Sequence, residues 1–249
     1  MPCSARVSPF IIDEIAGSLK PTRPLTIAAL RKKCRIPESI EICLPEVGMS
    51  LSNPPPGFVG VFCEQIRSAM SLPLHPFIQH ALRYFEICPV QLHPNSYKSL
   101  IGSWVIWKEH GRTISWPEFL DYFSIRPCGV PGIYAFRAAK VNPVIDLPGK
   151  VHSWRHSVVF IPISSIGTAP STFGDAMIRG LPRSKGTRDE ALAALESFLR
   201  SVPVEDRRWP GIFGRTSVKG VTWGPEAWIS HLALFNLILF YFTHIYWRI

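Results

Sequence analysis

Apolar residues recur at helical spacing through much of the first half of the chain. Thr26 to Cys34 reads as a short helix, halted by Pro37. Phe58 to Met70 carries apolar side chains at 58, 59, 62, 66, 69 and 70, close to the three-and-four spacing of an amphipathic helix. Pro76 sits where the first turn of a helix through Ile87 tolerates a missing N–H, with Phe77, Ala81, Leu82 and Phe85 as its buried stripe. Pro94 opens a further helix bearing Tyr97, Leu100, Ile101, Trp104 and Trp107, which Gly111 ends. Pro117-Glu-Phe-Leu-Asp-Tyr-Phe, preceded by Ser115 and Trp116, makes a fourth compact helix with an acidic first turn.

Then the period changes. Ile133-Tyr-Ala-Phe-Arg and Ser157-Val-Val-Phe-Ile-Pro-Ile are short, aromatic and β-branched, and suit two strands of a small sheet. Pro143, Pro148 and Gly149 mark the loop between them. Residues 164–186, rich in Ser, Gly and Pro, are expected to be exposed. Thr187-Arg-Asp-Glu190 is a capping box launching a helix over about 187–200, and a second loop is expected from Pro203 to Gly224. The expected architecture is mainly α, in the α+β class: a compact helical domain with a small antiparallel β element and a hydrophobic C-terminal helix.

That last element is the run Ala227 to Trp247, 21 residues without Asp, Glu, Lys or Arg. About twenty apolar residues span a bilayer core of roughly 30 Å. Trp228, Leu232, Phe235, Leu239, Phe242 and Trp247 are the membrane-segment candidates, with Trp228, Tyr246 and Trp247 as aromatic anchors at the two interfaces. His231, Asn236 and His244 weigh against spanning. A helix buried against the domain and an accidental apolar tail are the competing readings. If the segment spans, Arg200, Arg207, Arg208, Arg215 and Lys219 outnumber Arg248 on the far side, which leaves the body cytoplasmic. The start, Met1-Pro-Cys-Ser-Ala-Arg, lacks a basic-then-apolar secretory signal, so an intracellular, reducing setting with free thiols is expected.

Composition adds bounds. A chain of 249 residues, 47% of them hydrophobic and 18% charged, can bury a core and is not disordered by composition. Its 24 prolines are about twice the average share and cut it into short elements. The six cysteines, at 3, 34, 43, 63, 88 and 128, form no Cys-x-x-Cys pair, so no zinc knuckle or redox motif is supported. The net charge of +9 is uneven: 12 basic and 10 acidic residues over 1–125 give +2, whereas 15 and 8 over 126–249 give +7. A basic half suits a polyanion, because phosphate neutralisation is the sequence-independent part of nucleic-acid affinity. The densest cluster is Arg179, Arg183, Lys185 and Arg188, which are the nucleic-acid-binding candidates; a solvated loop is the plainer reading.

Several motifs, in order, carry a family resemblance. They are Leu25-Thr-Ile-Ala-Ala-Leu, Arg35-Ile-Pro-Glu, Leu44-Pro-Glu, Pro54-Pro-Pro-Gly-Phe-Val-Gly and Leu72-Pro-Leu-His-Pro-Phe-Ile. After them come Gln91-Leu-His-Pro-Asn-Ser-Tyr, Gly102-Ser-Trp-Val-Ile-Trp, Trp116-Pro-Glu-Phe, Gly132-Ile-Tyr-Ala-Phe-Arg and Trp154-Arg-His-Ser-Val-Val-Phe-Ile. This pattern resembles a plant gypsy-type transposon domain family, a retrotransposon gag-like element, over residues 25–163. The last motif departs from the family at His156 and Val158-Val159. Residues 1–24 would then be an extension, 164–224 a basic loop-rich region, and 225–249 the hydrophobic segment. The resemblance implies an origin and an interaction role, with self-association and RNA or DNA contact through the basic half, and it supplies no reaction.

Candidate chemistry is thin. The chain has no Asp-Thr/Ser-Gly protease triplet, no Tyr-x-Asp-Asp polymerase motif and no phosphate-binding glycine loop, so an enzyme is not expected and no cofactor, metal or small-molecule substrate is implied. His152 and His156 lie on a strand approach, where four-residue spacing separates them by roughly 13 Å. His75, His80 and His93 fall near helix starts and read as capping or packing residues. Cys63 and Cys88 read as small core residues. Trp104, Trp107, Trp116 and Trp154 could stack bases, but the helical spacing of the first two favours the core.

Overall fold

The computed structural model describes residues 24–46, 49–139, 141–147, 154–155, 157–174 and 188–218, without the side chains of 24–26, 188 and 215–218. In chain order it has α1 (Pro24–Cys34), β1 (Phe58–Phe62), α2 (Cys63–Arg67), α3 (Pro76–Phe85), α4 (Pro94–Glu109), α5 (Trp116–Tyr122), β2 (Phe123–Pro127) and β3 (Tyr134–Ala138). After these come β4 (Val158–Pro162), α6 (Arg188–Ser201), α7 (Val204–Arg207) and α8 (Trp209–Val218), with 3-10 turns at Pro89–Gln91 and Ile163–Ile166. The class is α+β and mainly helical.

α4 is the axis of the molecule. Twelve of its sixteen residues are buried, so it is apolar or small on nearly every side rather than striped. Its core residues Tyr97, Leu100, Ile101, Ile106 and Trp107 share one cluster with Leu30 of α1, Phe85 of α3, Phe119 of α5, Leu195 of α6 and Ile212 of α8. Gly102 lets a neighbouring segment approach: a Cβ there would sit 2.5 Å from Val144 Cγ2. Past the helix end, Gly111 takes φ +70°, a left-handed turn that side-chain-bearing residues adopt at a cost.

β structure forms two separate two-stranded antiparallel sheets, β1 with β4 and β2 with β3. The two expected strands therefore exist but do not pair with each other; each takes a partner the hydrophobic pattern concealed. β1 corrects the expected helix over Phe58 to Met70. Phe58, Val59, Val61 and Phe62 are aromatic or β-branched around a glycine, a poor helix and a good strand, and β4 supplies the ladder from Phe58↔Pro162 to Phe62↔Val158. Only Cys63–Arg67 remains helical. Gly60 is close-packed: a Cβ there would lie 2.5 Å from Leu51 Cδ2. β2 continues directly from α5, with Ile125 opposite Phe136 on the core side. β3's other edge is occupied: His93 N–H donates to Tyr134 O at 2.8 Å, and Phe136 N–H donates to Ser96 Oγ at 2.9 Å.

Two expected loops are partly structured. Ile166 and Ala169 are buried, and Leu74 N–H donates to Ser165 O at 2.7 Å, so the first residues after β4 fold onto the body instead of standing in solvent. Within the expected loop from Pro203, α7 and α8 form, because Trp209 and Ile212 have apolar surface on the core to cover. Residues 1–23, the Thr187 cap and the expected C-terminal helix with Trp228, Leu232, Phe235, Leu239, Phe242 and Trp247 lie outside the described residues.

Three buried or half-buried glutamines tie the segments between elements. Gln65 Oε1 accepts Phe62 N–H at 2.8 Å, while its Nε2 faces the carbonyls of Leu92 at 2.7 Å, Pro89 at 2.9 Å and Val90 at 3.2 Å. Gln91 Oε1 accepts from Cys88 N–H and Gly174 N–H, and its Nε2 donates to Gly132 O and Gly174 O. Gln79 donates to Leu74 O and accepts from Thr168 N–H and its hydroxyl. A side-chain amide carries both donor and acceptor, so it can satisfy non-repetitive backbone that has no ladder partner.

Candidate nucleic-acid interface

Of the four basic candidates, Arg179, Arg183 and Lys185 lie outside the described residues, and Arg188 opens α6 with its side chain outside them. His152 and His156 lie outside as well. The remaining chemistry-bearing residues can be placed.

The histidines before the two prolines do the same work. Leu74-His75-Pro76 and Leu92-His93-Pro94 each start a helix: His75 Nδ1 accepts Phe77 N–H at 3.1 Å, and His93 Nδ1 accepts Asn95 N–H at 3.1 Å. Backbone angles at the two caps agree within a few degrees. An accepting Nδ1 requires a neutral ring. Burial, with Lys108 nearby, pushes His75 down to about 3; burial, with Lys98 nearby, pushes His93 down to about 4. Trp104 packs edgewise on His75, and Trp154 on His93.

These caps make stability depend on acidity. Above pH 6.5 both rings are neutral folded or unfolded; as the pH falls below that, the unfolded chain binds protons that the native caps refuse. Stability is therefore present above pH 6.5 and is lost down to about 3 or 4. His75 alone accounts for about 2–3 kcal/mol of that loss at pH 4.5. Asparagine also caps helices, so a His75→Asn protein should show a smaller fall in urea midpoint between pH 7 and 4.5. Superimposable pH curves for parent and variant would rule out the cap as their source.

Among the described residues, Cys63, Cys88, Trp107 and Trp209 belong to the interior. Cys63 and Cys88 are fully buried, and burial holds the Cys88 thiol up at about 12 and the half-buried Cys34 thiol at about 11. Such thiols stay protonated at neutral pH. Trp107 is wholly enclosed, and its indole N–H donates to Glu118 Oε1 at 3.2 Å. Glu118 also receives the Tyr122 hydroxyl at 3.0 Å and the Arg112 guanidinium at 3.4 Å, while Ser115 and Glu118 cap α5 reciprocally. Trp116 is half-buried among Phe77, His80, Tyr84 and Phe119, and Trp104 is half-buried beneath Lys108. Trp154 is half-buried against Phe62 and His93.

Cations divide into two kinds. Arg31, Arg67, Arg112, Arg200 and Arg208 are matched with Glu38, Glu64, Glu118, Glu196 and Asp146. Arg207 donates to the carbonyls of Asn142 and Pro143. Arg35, Arg83, Arg126, Arg137 and Arg155, by contrast, have no carboxylate partner among the described residues. Arg126 on β2 and Arg137 on β3 are exposed and project from the sheet face opposite the Ile125–Phe136 core pair. No Asp or Glu occurs from Phe123 to Ile145, so the whole hairpin is free of negative side chains.

Among the described residues, no group of three His, Cys, Asp or Glu side chains could hold a metal ion, and no helix is long and apolar enough to cross a membrane. Comparison with protein-family models, with curated proteins and with solved structures finds no match for this chain.

Proposed function

We propose that the chain is a non-enzymatic, retrotransposon gag-like module that contacts nucleic acid through its basic second half. The observation that carries this reading is the unequal charge of the two halves, +2 against +7. Its support is the use made of the other polar groups: the described histidines near helix starts and the buried cysteines are taken up in capping and packing. Self-association rests on the family resemblance and is read directly as mass by light scattering across a concentration series.

A labelled single-stranded oligonucleotide should bind the full chain at low salt and weaken steeply as salt rises, because each neutralised phosphate releases counterions. Changing Arg179, Arg183, Lys185 and Arg188 together to glutamine should flatten the slope of log affinity against log salt by about 3. Absence of binding at low ionic strength would end the nucleic-acid reading.

A second reading, a membrane-tethered protein, has its own observation in the uncharged run Ala227 to Trp247. Fractionation separates the two. Carbonate-resistant pelleting that disappears on removing residues 225–249 favours the tether, with Trp228, Leu232, Phe235, Leu239, Phe242 and Trp247 in the bilayer.

A further inference from the structure

The β2–β3 hairpin combines features that the function above does not by itself require. In its antiparallel register Arg126 lies opposite Ala135 and Arg137 opposite Ser124. Directly opposed residues share a face, so all four lie on the face opposite the buried side chains Phe123, Ile125, Tyr134 and Phe136. The two arginines are thus diagonal neighbours on one outer face, about 7–8 Å apart at the backbone. Each faces a small, half-buried residue, Ala135 for Arg126 and Ser124 for Arg137. Arg155 joins them from the segment before β4: its charge and that of Arg137 both act on the Cys128 thiol at the hairpin turn.

Arg126 and Arg137 share this face, and Arg155 is near enough to the hairpin turn to act on Cys128. None of the three has a carboxylate partner among the described residues, as is also true of Arg35 and Arg83, whereas five other arginines in the same body have one. Like charges gathered on one face repel each other, and an arriving anion relieves that repulsion. Guanidinium also offers paired N–H donors that match the geometry of a phosphate.

We infer that the outer face of β2–β3, through Arg126, Arg137 and Arg155, binds the phosphodiester backbone of a nucleic-acid strand without reading its bases. This rests on the nucleic-acid reading above and locates a contact on the folded body, through residues other than Arg179, Arg183, Lys185 and Arg188. Backbone contact positions a strand and carries no sequence information. The hairpin therefore contributes affinity and salt dependence rather than selectivity.

The test uses the full chain, a fluorescein-labelled mixed-sequence 20-mer as single-stranded RNA and as single-stranded DNA, and anisotropy titrations from about 50 to 300 mM salt. Arg126→Gln/Arg137→Gln/Arg155→Gln should weaken binding at least tenfold at the lowest salt and flatten the salt slope by about 2–3. The matching triple lysine variant keeps the charge and should retain most of the slope; it also guards against a packing defect from Arg155, which is half-buried beside Trp154. Loss in both arms assigns the contact to the shared backbone, and loss in one arm names the strand. If the parent binds and the glutamine variant matches it, the hairpin assignment is wrong while Arg179, Arg183, Lys185 and Arg188 remain as candidates. If the parent binds neither strand at low salt, the nucleic-acid reading itself falls.

Discussion

Replacing Gln65 with leucine is expected to remove about 3–5 kcal/mol of stability, a large share of the 5–15 kcal/mol typical of a domain. Leucine fills nearly the same space, so the loss comes from stranded polar groups rather than from a cavity. Phe62 N–H loses its acceptor at the junction of β1 and α2, and the carbonyls of Val90 and Leu92 lose their donor. Pro89 O keeps the Tyr97 hydroxyl at 2.8 Å. Each buried group left unmatched costs roughly 1–3 kcal/mol. A Gln65→Glu change should also destabilise, because a carboxylate accepts from Phe62 but cannot donate to the carbonyls unless protonated. Urea unfolding followed by tryptophan fluorescence measures both. A leucine variant within 1 kcal/mol of the parent would mean that water or a backbone shift replaces the amide.

Trp107→Ala should cost about as much, roughly 3–5 kcal/mol, through a different cause. Removing the indole empties the place where α4, α5 and α6 meet, since its ring lies 4.6 Å from that of Phe198 and 5.9 Å from that of Tyr122. It also withdraws a donor from Glu118. Trp107→Phe separates the two effects: it restores most of the ring volume and leaves only the lost N–H, so its cost should be clearly smaller. An alanine variant as stable as the phenylalanine one would show that the cavity term is absent. Because the indole is enclosed, neither change acts on a stacked base.

Helices with a proline start were legible from residue order. α3, α4 and α5 begin at Pro76, Pro94 and Trp116, with the expected side chains of α3 buried and those of α4 buried except half-buried Trp104, because proline at the first turn and periodic apolar residues are local signals. The class followed from them. The strand pairing was not legible. Phe58 to Met70 fits a helical period and a strand almost equally well over so few residues, and the choice was made by β4, about a hundred positions away. α8 escaped for a related reason: its apolar residues Trp209 and Ile212 find their use only against an already folded core.

At the candidate interface the outcome divides differently. The histidines were readable as capping residues, and the repeated Leu-His-Pro tripeptide at 74–76 and 92–94 was the available signal that both cap in the same way. Gln65, Gln79 and Gln91 gave little warning, since an isolated amide in an apolar run looks like any surface residue until its carbonyl partners are known. The hairpin arginines were hidden because Arg126 and Arg137 are eleven residues apart, and only the register of β2 with β3 puts them side by side. Net charge singles out a half of the chain and carries no information about a face.

The breadth of the central cluster has a bearing on how the chain can be divided. Leu195, Trp209 and Ile212 sit in the same cluster as Leu30 and Leu100, so no seam runs through the core at the end of β4. A fragment stopping at Ile163 would surrender one wall of its own interior and bare Trp107 on that side. An excised version of this body that keeps its interior covered is therefore expected to reach α8.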